Sequence, residues 1–213
     1  MKYKAVIFDL DGVICHTDKY HFMAWKEIAG ELGVDFNEKI NDRLRGVSRL
    51  DSLEIILENH PGKLSAEDKH LYTEKKNTLY REYLSNMSPD DLDPMVKETI
   101  DKIKRMGLRV AIGSSSKNAR FIINKLGLEG YFEVVSDGTA ISRSKPDPEV
   151  FLKASAELAI EPRSCLVVED AKAGVEAARA AGMDCAAIGS AALDSSAEYK
   201  IKSIKDLLLI LSA

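Results

Sequence analysis

No stretch of this 213-residue chain approaches the run of apolar residues needed to cross a bilayer, so no membrane partner is expected. The N-terminal residues lack a basic region followed by a long apolar run, and a secretory leader is not expected either. Cysteine is scarce. Cys15, Cys165 and Cys185 are an odd, scattered set, which argues against a disulfide framework and fits free thiols in a reducing cytoplasm. A surplus of one charge is also missing: 30 Lys and Arg stand against 34 Asp and Glu, for a net charge of −4. That balance offers no electrostatic footprint for nucleic acid or an anionic membrane. Internal repeats and low-complexity tracts are absent. What remains, at 45% hydrophobic and 30% charged, is an ordinary globular composition, enough for one large domain or a core with a smaller insert. The expected form is a cytoplasmic monomer.

From Pro94 onward strands and helices alternate. Asp93-Pro94 reads as a cap and first-turn proline, and Val96, Ile100, Ile103 and Met106 fall on one helical face. Arg109 to Gly113 reads as a strand, Lys117 to Leu126 as a helix, and Val134-Val135 as a short strand. A helix opened by Asp147-Pro148, a strand from Cys165 to Val168, a helix from Ala171 to Ala181 and a strand from Cys185 to Ile188 follow. Ile204, Leu207, Leu208 and Leu211 mark a last helix. This alternation predicts an α/β fold with a doubly wound, Rossmann-like parallel sheet. Residues 19 to 87 break the rhythm: Phe22, Trp25, Ile28, Ala29 and Leu32 space as a helix, and Ala66 to Leu84 is polar and helix-favouring. The expected organisation is a core of residues 1–17 and 88–213, with a helical cap domain of residues 18–87 inserted after the first strand. The two connections would form a hinge.

Chemistry-bearing residues gather at strand ends. Ala5-Val6-Ile7-Phe8 runs into Asp9-Leu10-Asp11-Gly12, which sets two carboxylates at the C-terminal mouth of a buried strand. Ligands of open α/β sheets sit in that crevice. One carboxylate there can attack phosphorus and the other can move a proton, although an isolated D-x-D also suits a solvated strand end. Gly113-Ser114-Ser115-Ser116 leads from a strand into a helix, a candidate anion site or a plain N-cap. Lys145-Pro146 puts a cation before a helix. Val168-Glu169-Asp170 ends a strand in paired acids. With Asp9 they offer the oxygen ligands Mg²⁺ prefers, or they serve a helix dipole. In the insert, Arg49 beside Gly46, Val47 and Ser48, in a loop facing the core, can hold a phosphate through its fork or stand as a surface cation.

Taken together, Asp9/Asp11, Ser114, Lys145 and Glu169/Asp170 match, in order, the four motifs of the haloacid dehalogenase (HAD) superfamily of aspartyl phosphotransferases, which the chain resembles over its whole length. The insert narrows the resemblance. Asp11-Gly12-Val13-Ile14, Tyr20-His21-Phe22 with Trp25, Gly46-Val47-Ser48-Arg49, Lys76-Asn77 and Ser114 to Asn118 resemble the β-phosphoglucomutase family. That resemblance implies Asp9 as nucleophile, Asp11 as general acid and base, and Mg²⁺ held by Asp9, Glu169, Asp170 and the Asp11 backbone carbonyl. It implies that Ser114 and Lys145 hold the transferring phosphoryl group, and that Arg49, Ser116, Lys117 and Asn118 hold the other phosphate. His21 and Lys76 would couple cap closure to Asp11, with packing and surface charge as their plainer readings. The implied substrate is a small sugar phosphate, β-glucose 1-phosphate exchanged with glucose 6-phosphate through glucose 1,6-bisphosphate. A sugar-phosphate phosphatase is the alternative. His16, Arg45 and Ala171 depart from the family's common residues and leave the four motifs intact.

Overall fold

Four apolar residues, Ala5–Phe8, make the short strand β1 on which the rest of the sheet is assembled. Neighbours on both sides bury it completely, which explains an unbroken apolar run in place of alternation. The computed structural model describes residues 2–44, 47–58, 60, 62–193 and 196–212. The other strands are β2 (Arg109–Gly113), β3 (Val134–Ser136), β4 (Cys165–Glu169), β5 (Asp184–Ala187) and β6 (Tyr199–Lys200). The six strands lie in the order β3-β2-β1-β4-β5-β6, and every pairing is parallel. This is the doubly wound, Rossmann-like core that the alternating pattern predicts.

Between β1 and β2 the chain forms α1 (Asp18–Glu31), α2 (Glu38–Asp42), α3 (Arg49–Leu57), α4 (Ala66–Leu84) and α5 (Pro94–Arg105). The later helices are α6 (Ala119–Lys125), α7 (Glu149–Glu157), α8 (Lys172–Ala180) and α9 (Leu207–Ser212). Asp93 caps α5 by accepting the Met95 N–H at 2.8 Å, and Val96, Ile100 and Ile103 form its buried face. The side of the sheet covered by α7 and α8 carries a core of Ile7, Phe151, Leu158, Val167 and Val175.

The chain divides into two compact units, Met1–His16 with Met87–Ala213, and Thr17–Asn86. Among its described residues the regular elements of the second are all helices. Its core gathers Trp25 and Ile28 from α1 with Leu53 and Ile56 from α3. Its longest helix, α4, opens on a capping box: Ser65 Oγ accepts the Asp68 N–H at 3.0 Å, and Asp68 Oδ2 accepts the Ser65 N–H at 3.3 Å.

Several local expectations need correction. Helix α6 begins at Ala119, two residues later than its sequence pattern suggests, because Ser114 and Ser116 hydroxyls turn the preceding backbone. Strand β5 starts one residue earlier than expected, and α2 and β6 are too short to leave a periodic signal. Arg49 does not lie in the expected loop but at a helix start, as the alternative of a surface cation on a helix start had it: it opens α3, capped by Ser48, whose Oγ accepts the Asp51 N–H at 3.2 Å. Arg45 and Gly46 lie outside the described residues. All three cysteines are free and buried, and no helix among the described residues is long and apolar enough to cross a membrane.

Candidate active site

Strand register builds the site. Phe8 lies level with Ile112 of β2 and Val168 of β4, so the next residues, Asp9, Gly113 and Glu169, emerge side by side at the C-terminal mouth. Between them sits the Lys145 ammonium, 2.5 Å from Asp9 Oδ1 and also hydrogen-bonded to Glu169 Oε1. All three residues are buried. The Lys145 ammonium also lies 4.7 Å from the centre of the Phe151 ring. Its backbone N–H donates to Ser115 Oγ at 3.3 Å, and its peptide bond to Pro146 is cis. The second Glu169 oxygen accepts the Ala171 N–H at 2.9 Å.

One carboxylate oxygen from each of Asp9, Glu169 and Asp170 lies within 4.8 Å of the others. Burial pushes the Asp9 carboxyl well above its usual pKa, and the neighbouring Glu169 and Asp170 charges push the same way against the pull of Lys145. Burial opposes the Lys145 ammonium, but Asp9 and Glu169 outweigh it and raise its pKa. Lys145 thus pairs with two of the three acids, Asp9 and Glu169. Carboxylate oxygens in a compact cluster are the donor set of a hard divalent cation, so these residues fit Mg²⁺. The Asp11 carboxylate does not belong to that cluster. Its backbone bridges to Cys15 in the turn after β1.

The phosphate candidates sit on the segment after β2. Ser114 is buried, and its Oγ accepts the Ser116 N–H at 3.2 Å. Ser116 Oγ accepts the Asn118 N–H at the same distance. Asn118 is buried, whereas Lys117 is exposed. On the far side, Asp170 is held through its carbonyl, which accepts from Ser190 Oγ at 2.9 Å and the Ala191 N–H at 3.0 Å.

The helical unit has its own polar cluster. Lys76 is 3% exposed, not the surface charge its plainer reading suggests. Its ammonium lies 2.8 Å from His21 Nδ1, 4.4 Å from the centre of the Tyr80 ring and 5.3 Å from that of Trp25. An ammonium can only donate, so Nδ1 accepts and the proton of neutral His21 sits on Nε2. Burial, then the charges of Lys76 and Arg49, push the His21 pKa well below its usual value. Trp25 is packed in the unit's core. Arg49 Nη1 donates to Glu74 Oε1 at 2.8 Å and Nη2 to Asn77 Oδ1 at 2.9 Å. Val47 is half-buried just ahead of Ser48.

Sequence reasoning passed over Gly174. A Cβ there would fall 1.9 Å from the Glu169 carboxyl carbon, so α8 can pass the acid only with a bare backbone. A glycine four residues beyond the acidic pair, inside a helix, was the available signal.

The parallel α/β core and its acidic strand-end cluster find counterparts among known proteins. A family model described as haloacid dehalogenase-like hydrolase matches residues 3–182, and the chain belongs to that family. It is 38% identical over 208 residues to a β-phosphoglucomutase of Bacillus subtilis, covering 97% of this chain and 92% of that one. A crystal structure of β-phosphoglucomutase from Clostridium difficile superposes with a TM-score of 0.92 at 34% identity, covering 99% of this chain and 96% of its own. A phosphorylated carbohydrates phosphatase of Thermotoga maritima is 35% identical, with 85% of this chain and 82% of that protein covered.

Proposed function

We propose that the chain is a Mg²⁺-dependent β-phosphoglucomutase that moves a phosphoryl group by way of Asp9. The observation that carries phosphoryl transfer is the convergence of Asp9, Glu169 and Asp170 with Lys145 seated on Asp9. Identity to the Bacillus subtilis mutase over 97% of this chain supports the finer reading. So does the presence of two cations near His21 in the helical unit, Arg49 and buried Lys76, since a mutase needs a grip for a second phosphate.

In this reading an Asp9 carboxylate oxygen attacks phosphorus, the bond from phosphorus to the sugar oxygen breaks, and Asp11 gives that oxygen its proton. Ser114 and Lys145 bind the phosphoryl oxygens and orient them for in-line attack. In the return step Asp11 takes the proton of a sugar hydroxyl, whose oxygen attacks the aspartyl phosphate and frees the Asp9 carboxylate. Starting from phosphorylated Asp9, β-glucose 1-phosphate becomes glucose 1,6-bisphosphate. Donation of its other phosphate back to Asp9 releases glucose 6-phosphate. Asp9, Glu169, Asp170 and the Asp11 carbonyl would hold Mg²⁺, which supplies charge neutralisation on the phosphoryl oxygens. Arg49, with Ser116, Lys117 and Asn118, is assigned to the phosphate that is not reacting. Val47 and Ser48 are assigned to the substrate side with Arg49, and excluding water is the task given to the helical cap, proposed as residues 18–87. His21 and Lys76 are assigned to coupling that unit to Asp11. The reading places the enzyme in the cytoplasm as a monomer.

Similarity to the Thermotoga maritima phosphatase supports a second reading, hydrolysis of sugar phosphates by the same core. One assay separates them. The protein is supplied with Mg²⁺, β-glucose 1-phosphate and a trace of glucose 1,6-bisphosphate, and glucose 6-phosphate and inorganic phosphate are followed together. Glucose 6-phosphate in large excess is the mutase result; inorganic phosphate as the main product makes the chain a phosphatase.

A further inference from the structure

Beyond the end of β3 the chain turns back onto the segment that carries Ser114. The Ser114 N–H donates to the Ser136 carbonyl at 3.0 Å, and the Gly138 N–H donates to the Ser116 carbonyl at 3.1 Å. Between these bonds Gly138 lies against bare backbone. A Cβ on it would fall 2.3 Å from the Ser115 oxygen, 2.8 Å from the Lys117 nitrogen and 2.9 Å from the Ser116 carbonyl carbon. Gly138 has no positive φ, so space and not conformation excludes a side chain there. None of the three neighbours is a flexible side chain that could swing away.

The same strand end is tied to α6. Asp137 is 1% exposed, and its Oδ1 accepts from the Thr139 N–H at 2.9 Å and Oγ1 at 2.5 Å. Its Oδ2 lies 3.3 Å from Arg120 Nε, and Arg120 Nη2 donates to the Val135 carbonyl at 2.7 Å. Arg120 sits one residue into α6, directly after Asn118 and Ala119. Residues 135–138 therefore hold the Ser114–Asn118 segment along its length. Because Ser115 Oγ receives the Lys145 N–H, the hold extends to the residue that grips Asp9.

We infer that Gly138 is a positioning residue for phosphate binding, a side-chain-free backbone clamp that fixes Ser114 and Lys145 in register, with the Arg120–Asp137 pair as its outer tie. This rests on the reading of Ser114 and Lys145 as phosphate ligands. A Cβ at Gly138 forces the segment or the end of β3 to give by about an ångström, and losing a hydrogen bond to a charged phosphate costs about tenfold or more in affinity.

Calorimetric titration of the full-length protein with inorganic phosphate in the presence of Mg²⁺ tests the inference. Gly138→Ala is expected to weaken phosphate binding about tenfold or more. Gly107→Ala is the structural control: Gly107 follows α5 at φ +83, and no atom lies within 4 Å of its Cβ position. That change strains the backbone and should leave phosphate affinity within about twofold of the wild type. A Gly138→Ala affinity within about fivefold of the wild type overturns the inference while leaving the functional reading intact. Should that variant not fold, Arg120→Met decides. It removes an exposed side chain, and a loss of about threefold or more, of the order of one hydrogen bond, supports the clamp; a smaller loss overturns it. Wild-type protein that binds no phosphate overturns the functional reading and the clamp together.

Discussion

The Lys145 ammonium lies 2.5 Å from Asp9 Oδ1 with both side chains almost wholly buried, and it is simultaneously paired with Glu169. In the proposed reaction the Asp9 carboxylate must be aimed and kept ionised, and this lysine would contribute to both. Removing one partner from a buried ion pair leaves an uncompensated charge, so Lys145→Met is expected to lower stability by about 3–5 kcal/mol in metal-free buffer. Urea unfolding measures it. An unchanged midpoint would mean that the acids relax without the lysine.

The acidic cluster bears on metal dependence. Lys145 pairs with Asp9 and Glu169, and the oxygens of Asp9, Glu169 and Asp170 gather as a divalent ion would require. Chelation is expected to abolish turnover. Mg²⁺ at a hundred times its dissociation constant should stabilise the fold by about 2.7 kcal/mol, read as a higher melting temperature. Turnover that survives exhaustive chelation would contradict the assignment.

Arg49, proposed to hold the second phosphate, is engaged with Glu74 and Asn77. Arg49→Ala should reduce kcat/KM for β-glucose 1-phosphate by about 10- to 100-fold, the worth of one or two hydrogen bonds to a charged group. Hydrolysis of a small phosphate ester, which has no second phosphate to hold, should change far less. Equal losses on both substrates would remove Arg49 from phosphate binding.

His21 provides a pH test inside the helical unit. Burial, Lys76 and Arg49 depress its pKa in the folded protein, whereas the unfolded imidazole takes up a proton near pH 6.5. The unfolded state therefore binds the extra proton first as pH falls below 6.5, and stability declines from there until the folded His21 titrates as well. Lys76→Met removes one repulsive charge but not the burial. The His21 titration midpoint, followed by NMR, should rise and still stay below the ordinary value. A midpoint that does not move would mean that the Lys76 contact does not set it.

Much of this was legible in the sequence, for physical reasons. Buried parallel strands read as unbroken apolar runs, and β1, β2 and β4 end in the acids and serines that register then aligns. The long helix Ala66–Leu84 declared itself through its polar, helix-favouring composition. Pairings between distant residues were not legible. Lys76 reads as polar on a polar helix, and only the packing of α1 against α4 buries it beneath His21, Trp25 and Tyr80. Arg49 gave no sign that Glu74 and Asn77 would hold its fork, 25 and 28 residues away. Two-residue β6 is too short for any periodicity.

The central claim is that phosphate passes through Asp9. Rapid acid quenching of the enzyme with Mg²⁺ and glucose 1,6-bisphosphate, followed by peptide mass spectrometry, tests it most directly. The expected result is one added phosphoryl group on the peptide containing Asp9, absent in Asp9→Asn together with all turnover. Turnover in Asp9→Asn, or a phosphoryl group carried on any other residue, would contradict the account.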